Sequence, residues 1–171
     1  MIRSRLAREK AHNILAMYNM TEPPIDVVKV ATLLGFTVIP FDFPETMSAV
    51  IKIEGTKKII AVNKNHPDVR QRFSTAHELG HYLSGHDSFS HEKQTFIDRE
   101  KKYLNHSHRE EEEADEFSAE LLMPEFMLKR DVLESKLDTP TLAKKYNVSE
   151  PAMWIQLINL KLAAEQSSAK S

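Results

Sequence analysis

Two histidines stand four residues apart in the segment His77-Glu78-Leu79-Gly80-His81. Residues i and i+4 of a helix lie one turn apart on the same face, so both imidazoles can reach one ion if the segment is helical. A helix start signal at Asn65 to Asp68, with a candidate cap and Pro67 near the first helical position, predicts a helix that runs to about Ser84. The pattern therefore predicts a helix that offers two metal-binding side chains.

A helical wheel of this segment, at about 100° per residue, separates a core face from a site face. His77 and His81 lie together at the edge of the apolar stripe, where a cleft can open, and Glu78 lies further round. Zinc accepts imidazole nitrogens, and a catalytic zinc site keeps one position for water. Glu78 is placed to hydrogen-bond that water. The core stripe consists of Val69, Phe73, Ala76, Gly80 and Leu83, of which Gly80 leaves room for a neighbouring element.

A third zinc ligand has three possible sources: a nearby histidine, a later glutamate, or none. The extended histidine pattern requires glycine at position 84 and histidine at position 87, where the sequence has Ser84 and Asp87. Gly85 and His86 are each displaced by one position, which on a shared turn would miss the ion. The histidine option is therefore excluded.

An acidic helix predicted from about Ser107 to Met123 offers the glutamate option. On its wheel Glu111 and Asp115 border the apolar face, which predicts Glu111 as the ligand and Asp115 as an acceptor for the second nitrogen of a ligating imidazole. Glu113 is the runner-up ligand. The remaining acidic residues are predicted to be solvated surface, and this group comprises Glu112, Glu113, Glu116 and Glu120.

Around these two helices, further helices are predicted at Arg3 to Tyr18 (with Leu6, Ala11, Ile14, Leu15 and Tyr18 on its apolar stripe), Ile25 to Leu34, Thr139 to Tyr146 and Glu150 to Leu162. Short strands are predicted at Phe36 to Ile39, Ala49 to Ile53 and Ile59 to Val62, the last two joined by a hairpin turn at Glu54 to Lys57. The fold class is α+β, with a small, mostly antiparallel sheet packed against helices and zinc between the two site helices. We expect a metallopeptidase domain over 1–134, with its N-terminal helices, and a C-terminal helical segment over 135–171 packed on the same domain.

Two blocks of the sequence resemble the ImmA/IrrE family of zinc metallopeptidases, a gluzincin-like group. The first is Arg72 to His81, and the second is Glu111 to Pro124, which ends in Leu-Leu-Met-Pro. The second block is the more specific, and the likeness covers roughly Ile25 to Leu160. Ser118 stands where the family usually has Ala, and the stretch 86–106 is long for a connector.

The resemblance implies a zinc-dependent endopeptidase with His77, His81 and Glu111 as zinc ligands and Glu78 as the catalytic residue. It also implies a regulatory role, because such proteins typically cleave a helix-turn-helix repressor encoded nearby. The alternative is a zinc-bearing module that binds a protein or acts as an anti-repressor without cleaving it. An intact Glu78 argues against that alternative, since a structural site needs no general base.

Composition excludes several other classes of protein. The 171 residues contain no cysteine, which excludes thiolate metal sites and a cysteine nucleophile and fits a cytoplasmic location. A formal net charge of −2 argues against bulk binding to nucleic acid or to an anionic membrane. The helix pair from Thr139 to Leu162 has a helix-turn-helix outline, but its second helix is apolar, so we expect no direct nucleic acid binding. Oligomeric state is open.

The remaining histidines and aromatic residues are predicted as follows. Tyr103, His106 and His108 are the candidates for an oxyanion-stabilising donor, and the sequence does not select among them. His12, His66 and His91 have no partner pattern and are predicted to lie at the surface. The aromatic residues of 86–106 form either a substrate lid or a packed surface loop.

Overall fold

The computed structural model describes residues 2–86, 106–134 and 136–163 and has the expected α+β class. Helices α1 (Ile2–Met17) and α2 (Val27–Leu33) precede strands β1 (Phe36–Phe41), β2 (Ala49–Glu54) and β3 (Lys57–Asn63). They are followed by α3 (Asp68–Ser84), α4 (His108–Leu122), α5 (Glu125–Lys129), a π-helical turn (Arg130–Glu134), α6 (Thr139–Tyr146) and α7 (Glu150–Asn159). The short helix α5 and the π-helical turn were absent from the sequence prediction.

The three strands form a mixed sheet in the order β1-β3-β2. The predicted hairpin is present: β2 and β3 pair antiparallel, and Gly55 provides the positive φ of +57° that the turn between them needs. The first strand instead pairs in parallel with β3, with Val38 opposite Ile60. This parallel pairing is possible because β2 and its loop lie between β1 and β3 in the chain, so β2 takes the opposite edge of the sheet.

The helix with the histidine pair lies at the centre of the molecule. It contacts the sheet on one side and packs along α4 on the other, and α1 in turn packs on α4. On α1 the buried residues include Ala7 and Ala11, whereas Leu6, predicted to face the core, is 48% exposed. Ala11, Ile14 and Leu15 of the predicted stripe are buried, so most of this stripe is confirmed.

The C-terminal helices belong to the same hydrophobic cluster as the rest of the molecule. Tyr146 of α6 and Met153 and Leu157 of α7 are fully buried in it. Gln156 donates from Nε2 to the carbonyl of Met123 at 3.2 Å, which ties α7 to the end of α4. No helix among the described residues is both long and apolar enough to cross a membrane.

The ends of the two central helices are set by different means. Ser107 caps α4 and forms a capping box with Glu110, as the composition of this helix start favours. Pro67 occupies the cap position of α3 without a side-chain hydrogen bond, and Asn65, the first residue of the predicted start signal, donates from its side chain to Asp42 at 2.8 Å. Gly85 ends α3 in the left-handed conformation.

Candidate metal centre

Helix α3 carries the two histidines on one face, as the spacing predicts. Nε2 of His77 lies 2.9 Å from Nε2 of His81, so the two rings direct the same nitrogen at one point. His81 is fully buried, and the side chain of His77 is 18% exposed. One imidazole is therefore held inside the protein, while the other reaches the surface of the cleft.

Helix α4 brings Glu111 to the same point. Its Oε2 lies 3.2 Å from Nε2 of His77, and its Oε1 lies 3.4 Å from Nε2 of His81. The two helices approach this closely because position 80 is glycine. A β-carbon at Gly80 would stand 3.0 Å from the backbone Cα of Ala114 and 3.1 Å from its carbonyl oxygen. Gly80 is therefore a requirement of the geometry that joins Glu111 to the histidine pair.

The three residues fit a metal ion by the spacing of their donor atoms. His77, His81 and Glu111 each offer one ligand atom, and these atoms all lie within 4.8 Å of one another. A zinc ion bonded at about 2.0–2.1 Å in tetrahedral geometry separates its ligands by roughly 3.3 Å. The two imidazole nitrogens lie 2.9 Å apart, and the two carboxylate oxygens of Glu111 lie 3.2 and 3.4 Å from them, which is near that value.

The carboxylates around His77 stabilise a positive charge at the point where the three donor atoms meet. Nδ1 of His77 lies 3.0 Å from Asp115, a carboxylate that can only accept, so Nδ1 carries a hydrogen and Nε2 is the nitrogen that faces Glu111. Burial alone would lower the pKa of His77, but hydrogen bonds to Asp115 and Glu111 raise it to about 10. The hydrogen bond from His77 lowers the pKa of Glu111 to about 2. Asp115 and Glu111 therefore stabilise a positive charge on His77, and a bound metal cation would carry a charge of the same sign.

The second histidine of the pair has the opposite tendency. Burial and the charges of His77 and His106 lower the pKa of His81 to about 3, so its imidazole stays neutral. A neutral imidazole is the form that binds a metal. The cluster thus combines one carboxylate, one neutral imidazole and one imidazole that loses its proton when a cation replaces it.

Glu78 lies beside this cluster in a cleft of about 660 Å³. Its side chain is nearly buried, at 4% exposure, and it lines the cleft together with His77 and Glu111. The cleft is also lined by 46–49, the segment that enters edge strand β2. A carboxylate in this position can reach a water molecule or a substrate held in front of the three donor atoms.

Comparison with known proteins identifies the family. A profile of the IrrE N-terminal-like domain, a peptidase family of type M78, matches residues 31–157, which is most of the chain. The chain belongs to the ImmA/IrrE peptidase family. A search of curated proteins gave no significant match.

The fold is also similar to a solved structure, that of a Mycobacterium tuberculosis transcriptional regulator. The TM-score is 0.63 at 16% identity, and the match covers 90% of this chain and 46% of that one. At this identity the likeness concerns the fold, and the chain spans about half the length of the regulator. The family match includes α3 and α4, the helices that carry the cluster.

Two acidic residues of this ImmA/IrrE protein contradict the prediction that they lie at the surface. Glu113 is 8% exposed and accepts from Nε2 of His86 at 2.8 Å. Glu120 is fully buried, where its Oε1 lies 2.5 Å from Nε2 of His12 and 2.8 Å from the backbone nitrogen of Glu125. Burial raises the pKa of Glu120. The wheel failed here because the partners that stabilise these carboxylates come from other segments of the chain.

The three histidines that were predicted to lie at the surface differ in their surroundings. His66, predicted at the surface, is buried, and its Nε2 contacts the carbonyl of Glu45 at 3.0 Å. His12 is paired with Glu120, which the sequence did not predict. His91 lies outside the described residues, as do most of the 86–106 segment and the predicted lid.

Of the two candidate oxyanion donors that the structure describes, His106 lies at the cluster. Its ring stacks on His81 with the centroids 4.2 Å apart, and its Nδ1 lies 3.0 Å from Oε1 of Glu111. His108 faces solvent with its side chain 88% exposed and pairs with Glu112. Tyr103 lies outside the described residues. No sequence signal distinguished His106, because its position depends on how the chain enters α4.

Proposed function

We propose that this protein is a zinc-dependent endopeptidase in which His77, His81 and Glu111 bind the metal and Glu78 acts as general base. The observation that carries the proposal is the convergence of three donor atoms beside a buried glutamate in an open cleft. The three ligands found among the described residues leave one position for water, which is the arrangement of catalytic zinc sites. A structural zinc site would have four protein ligands and no need of Glu78.

The reaction assigns separate tasks to these residues. Zinc, when bound, supplies Lewis acidity that polarises the scissile carbonyl and acidifies a water molecule. Glu78 accepts a proton from that water and then delivers it to the leaving amine. Asp115 holds the imidazole of His77 through Nδ1, so that Nε2 keeps facing the site.

The shape of the cleft supports a polypeptide substrate. Within the described sheet β2 is an edge strand, and the segment before it borders the cleft. An extended peptide can pair with an edge strand through its main chain. The side chain of Phe73 lines the same cleft and offers an apolar contact beside the metal ligands.

The proposed substrate is a helix-turn-helix transcriptional repressor, cut in the cytoplasm as a regulatory step. Family membership supports this, since the resemblance implies repressor cleavage, and the similar solved structure is named a transcriptional regulator. An exposed apolar face on α7, formed by Trp154, Ile155 and Ile158, favours docking of a protein over binding of nucleic acid. The same face is what a non-cleaving anti-repressor would use.

The experiment that tests this function incubates the zinc-loaded protein with the helix-turn-helix repressor encoded nearest to it and follows the products by mass spectrometry. We expect cleavage at one bond by the wild type and by Glu112→Gln, whose side chain is exposed. Glu78→Gln should bind zinc but lose 10²–10⁴-fold in rate, which is roughly the contribution of a general base. Near-normal cleavage by Glu78→Gln would rule out this mechanism. A stable complex with no cleavage by the wild type would favour the anti-repressor.

A further inference from the structure

His86 follows α3 by two residues and folds back onto the metal centre. Gly85 adopts the left-handed conformation with a φ of +67°, and the backbone nitrogen of His86 then donates to the carbonyl of His81 at 3.2 Å. This reversal places Nδ1 of His86 3.1 Å from Nδ1 of His81. The contact lies on the edge of the His81 ring opposite to Nε2, so His86 is beside the ligand and outside the donor cluster.

A buried carboxylate stands behind His86. Nε2 of His86 lies 2.8 Å from Oε2 of Glu113, and the two side chains are only 5% and 11% exposed. The three side chains therefore form a row from Glu113 through His86 to His81, inside the protein. Their hydrogen bonds cannot be exchanged freely with bulk water at this level of burial.

The order of donors and acceptors along this row determines where the hydrogen of His81 resides. An ionised carboxylate can only accept, so Nε2 of His86 donates to Glu113. A neutral imidazole has one donor and one acceptor, and Nδ1 of His86 is therefore the acceptor. Nδ1 of His81 must then donate, which leaves the lone pair of its Nε2 directed at His77 and Glu111.

We propose that Glu113 and His86 are positioning residues that fix the tautomer and ring orientation of His81 for metal binding. The inference rests on the proposed zinc site and deepens it. Outer hydrogen bonds of this kind typically contribute 10–100-fold to metal affinity. His77 has the simpler form of the same device in Asp115, which is exposed to solvent. The fully buried His81 is instead held by a chain of two residues.

The test measures the zinc dissociation constant of the full chain by competition with a chromogenic chelator. We expect His86→Ala and Glu113→Ala each to weaken binding 10–100-fold. Because the two residues act in series, the double variant should be no weaker than His86→Ala alone. His86→Asn should recover most of the affinity, because its amide oxygen can accept from Nδ1 of His81. Matched controls are His108→Ala and Glu112→Gln, an exposed pair on α4 that should leave affinity unchanged.

A second readout separates positioning from a general loss of stability. Long-range proton–nitrogen NMR spectra of the metal-free protein should show His81 as the Nδ1–H tautomer in the wild type and in His86→Asn. In His86→Ala the Nε2–H form should appear. Equal zinc affinity in the wild type and His86→Ala, an additive loss in the double variant, or no recovery with His86→Asn would overturn the inference. Failure of the wild type to bind zinc would instead overturn the proposed function.

Discussion

The carboxylates of Glu111 and Asp131 are both surrounded by polar side chains, but Asp131 has lysine and arginine among its neighbours and Glu111 has histidines. Asp131 is 1% exposed and accepts from Tyr146 Oη at 2.8 Å, Lys145 Nζ at 2.8 Å and Arg130 Nε at 3.1 Å. Every partner of Asp131 is a donor, and two of them are cations. Its charge is therefore balanced by the protein itself.

Glu111 has different surroundings. Its neighbours His77 and His81 direct Nε2 at it, the nitrogen through which each would bind a metal, and the group of His77, His81 and Glu111 contains no lysine or arginine. The two clusters show that converging histidine and carboxylate side chains indicate a metal site when no lysine or arginine balances them. A buried carboxylate that faces its own donors indicates a structural role instead. Asp131 links the π-helical turn to α6, whereas Glu111 is placed to bind a cation.

The largest predicted effect is on the stabilisation that zinc provides. Zinc at about 1,000 times its dissociation constant should raise the free energy of unfolding by roughly 4 kcal/mol, because it binds the folded state. Urea unfolding with and without chelator measures this difference. Asp131→Asn should keep the increment in full, and His77→Ala should lose it. An increment that depends on Asp131 would contradict the distinction between the clusters.

The next effect is the loss of stability in Asp131→Asn, which we expect at about 2 kcal/mol because charged hydrogen bonds are lost around a buried tyrosine. Burial alone would raise the pKa of Asp131, but the hydrogen bonds from Lys145, Tyr146 and Arg130 lower it below its ordinary value. Stability from this carboxylate is therefore present above the pKa of the unfolded chain, near 3.9, and is lost as pH falls through the folded pKa.

Unfolding curves of the wild type and Asp131→Asn, measured between pH 7 and pH 3, check this prediction. The difference in unfolding free energy should hold at pH 7 and shrink below about pH 4. A difference that grew on acidification would mean that Asp131 is already protonated in the folded protein.

A smaller effect is predicted for Gly80→Ala, which tests how closely α3 and α4 must approach. Overpacking costs about 1–3 kcal/mol, and alanine offsets about 1 kcal/mol of it through helix propensity, so the net loss should be roughly 1 kcal/mol. Zinc affinity should fall as Glu111 moves away from the histidine pair. Ala114→Gly should not rescue the variant, because the contact is with the backbone of Ala114. Thermal unfolding and chelator competition measure the two effects.

An effect of similar size, on zinc affinity alone, is predicted for Asp115→Asn. The amide oxygen of asparagine can still accept from Nδ1 of His77, but it lacks the charge and the side chain is 60% exposed. We expect zinc affinity to fall by about tenfold, at the lower end of the range for such outer contacts. Isothermal titration with zinc checks this. Complete loss of zinc would assign Asp115 to the ligands.

The sequence predicted the local parts of this structure well. Both site helices and the β2–β3 hairpin depend on residues close in the chain. The i, i+4 spacing placed His77 and His81 together, and the wheel selected Glu111 over Glu113 as the residue near them. These predictions succeeded because each depends on the periodicity or turn composition of a single segment.

Features that depend on distant segments were not predictable. Glu120 was assigned to the surface, and its burial depends on His12, which is 108 residues away in sequence. The parallel pairing of β1 depends on the order in which strands join the sheet. The row from Glu113 to His81 depends on the reversal at Gly85, which spacing rules for ligands do not consider.

Metal content of the purified protein tests the central claim most directly. Elemental analysis should compare the wild type, Glu78→Gln, Glu111→Ala and the exposed control Glu112→Ala. The account predicts one zinc per chain in the wild type, Glu78→Gln and Glu112→Ala, and loss of zinc in Glu111→Ala. A wild type that takes up no zinc when it is offered, or a Glu111→Ala variant that keeps it, would contradict the three-ligand site.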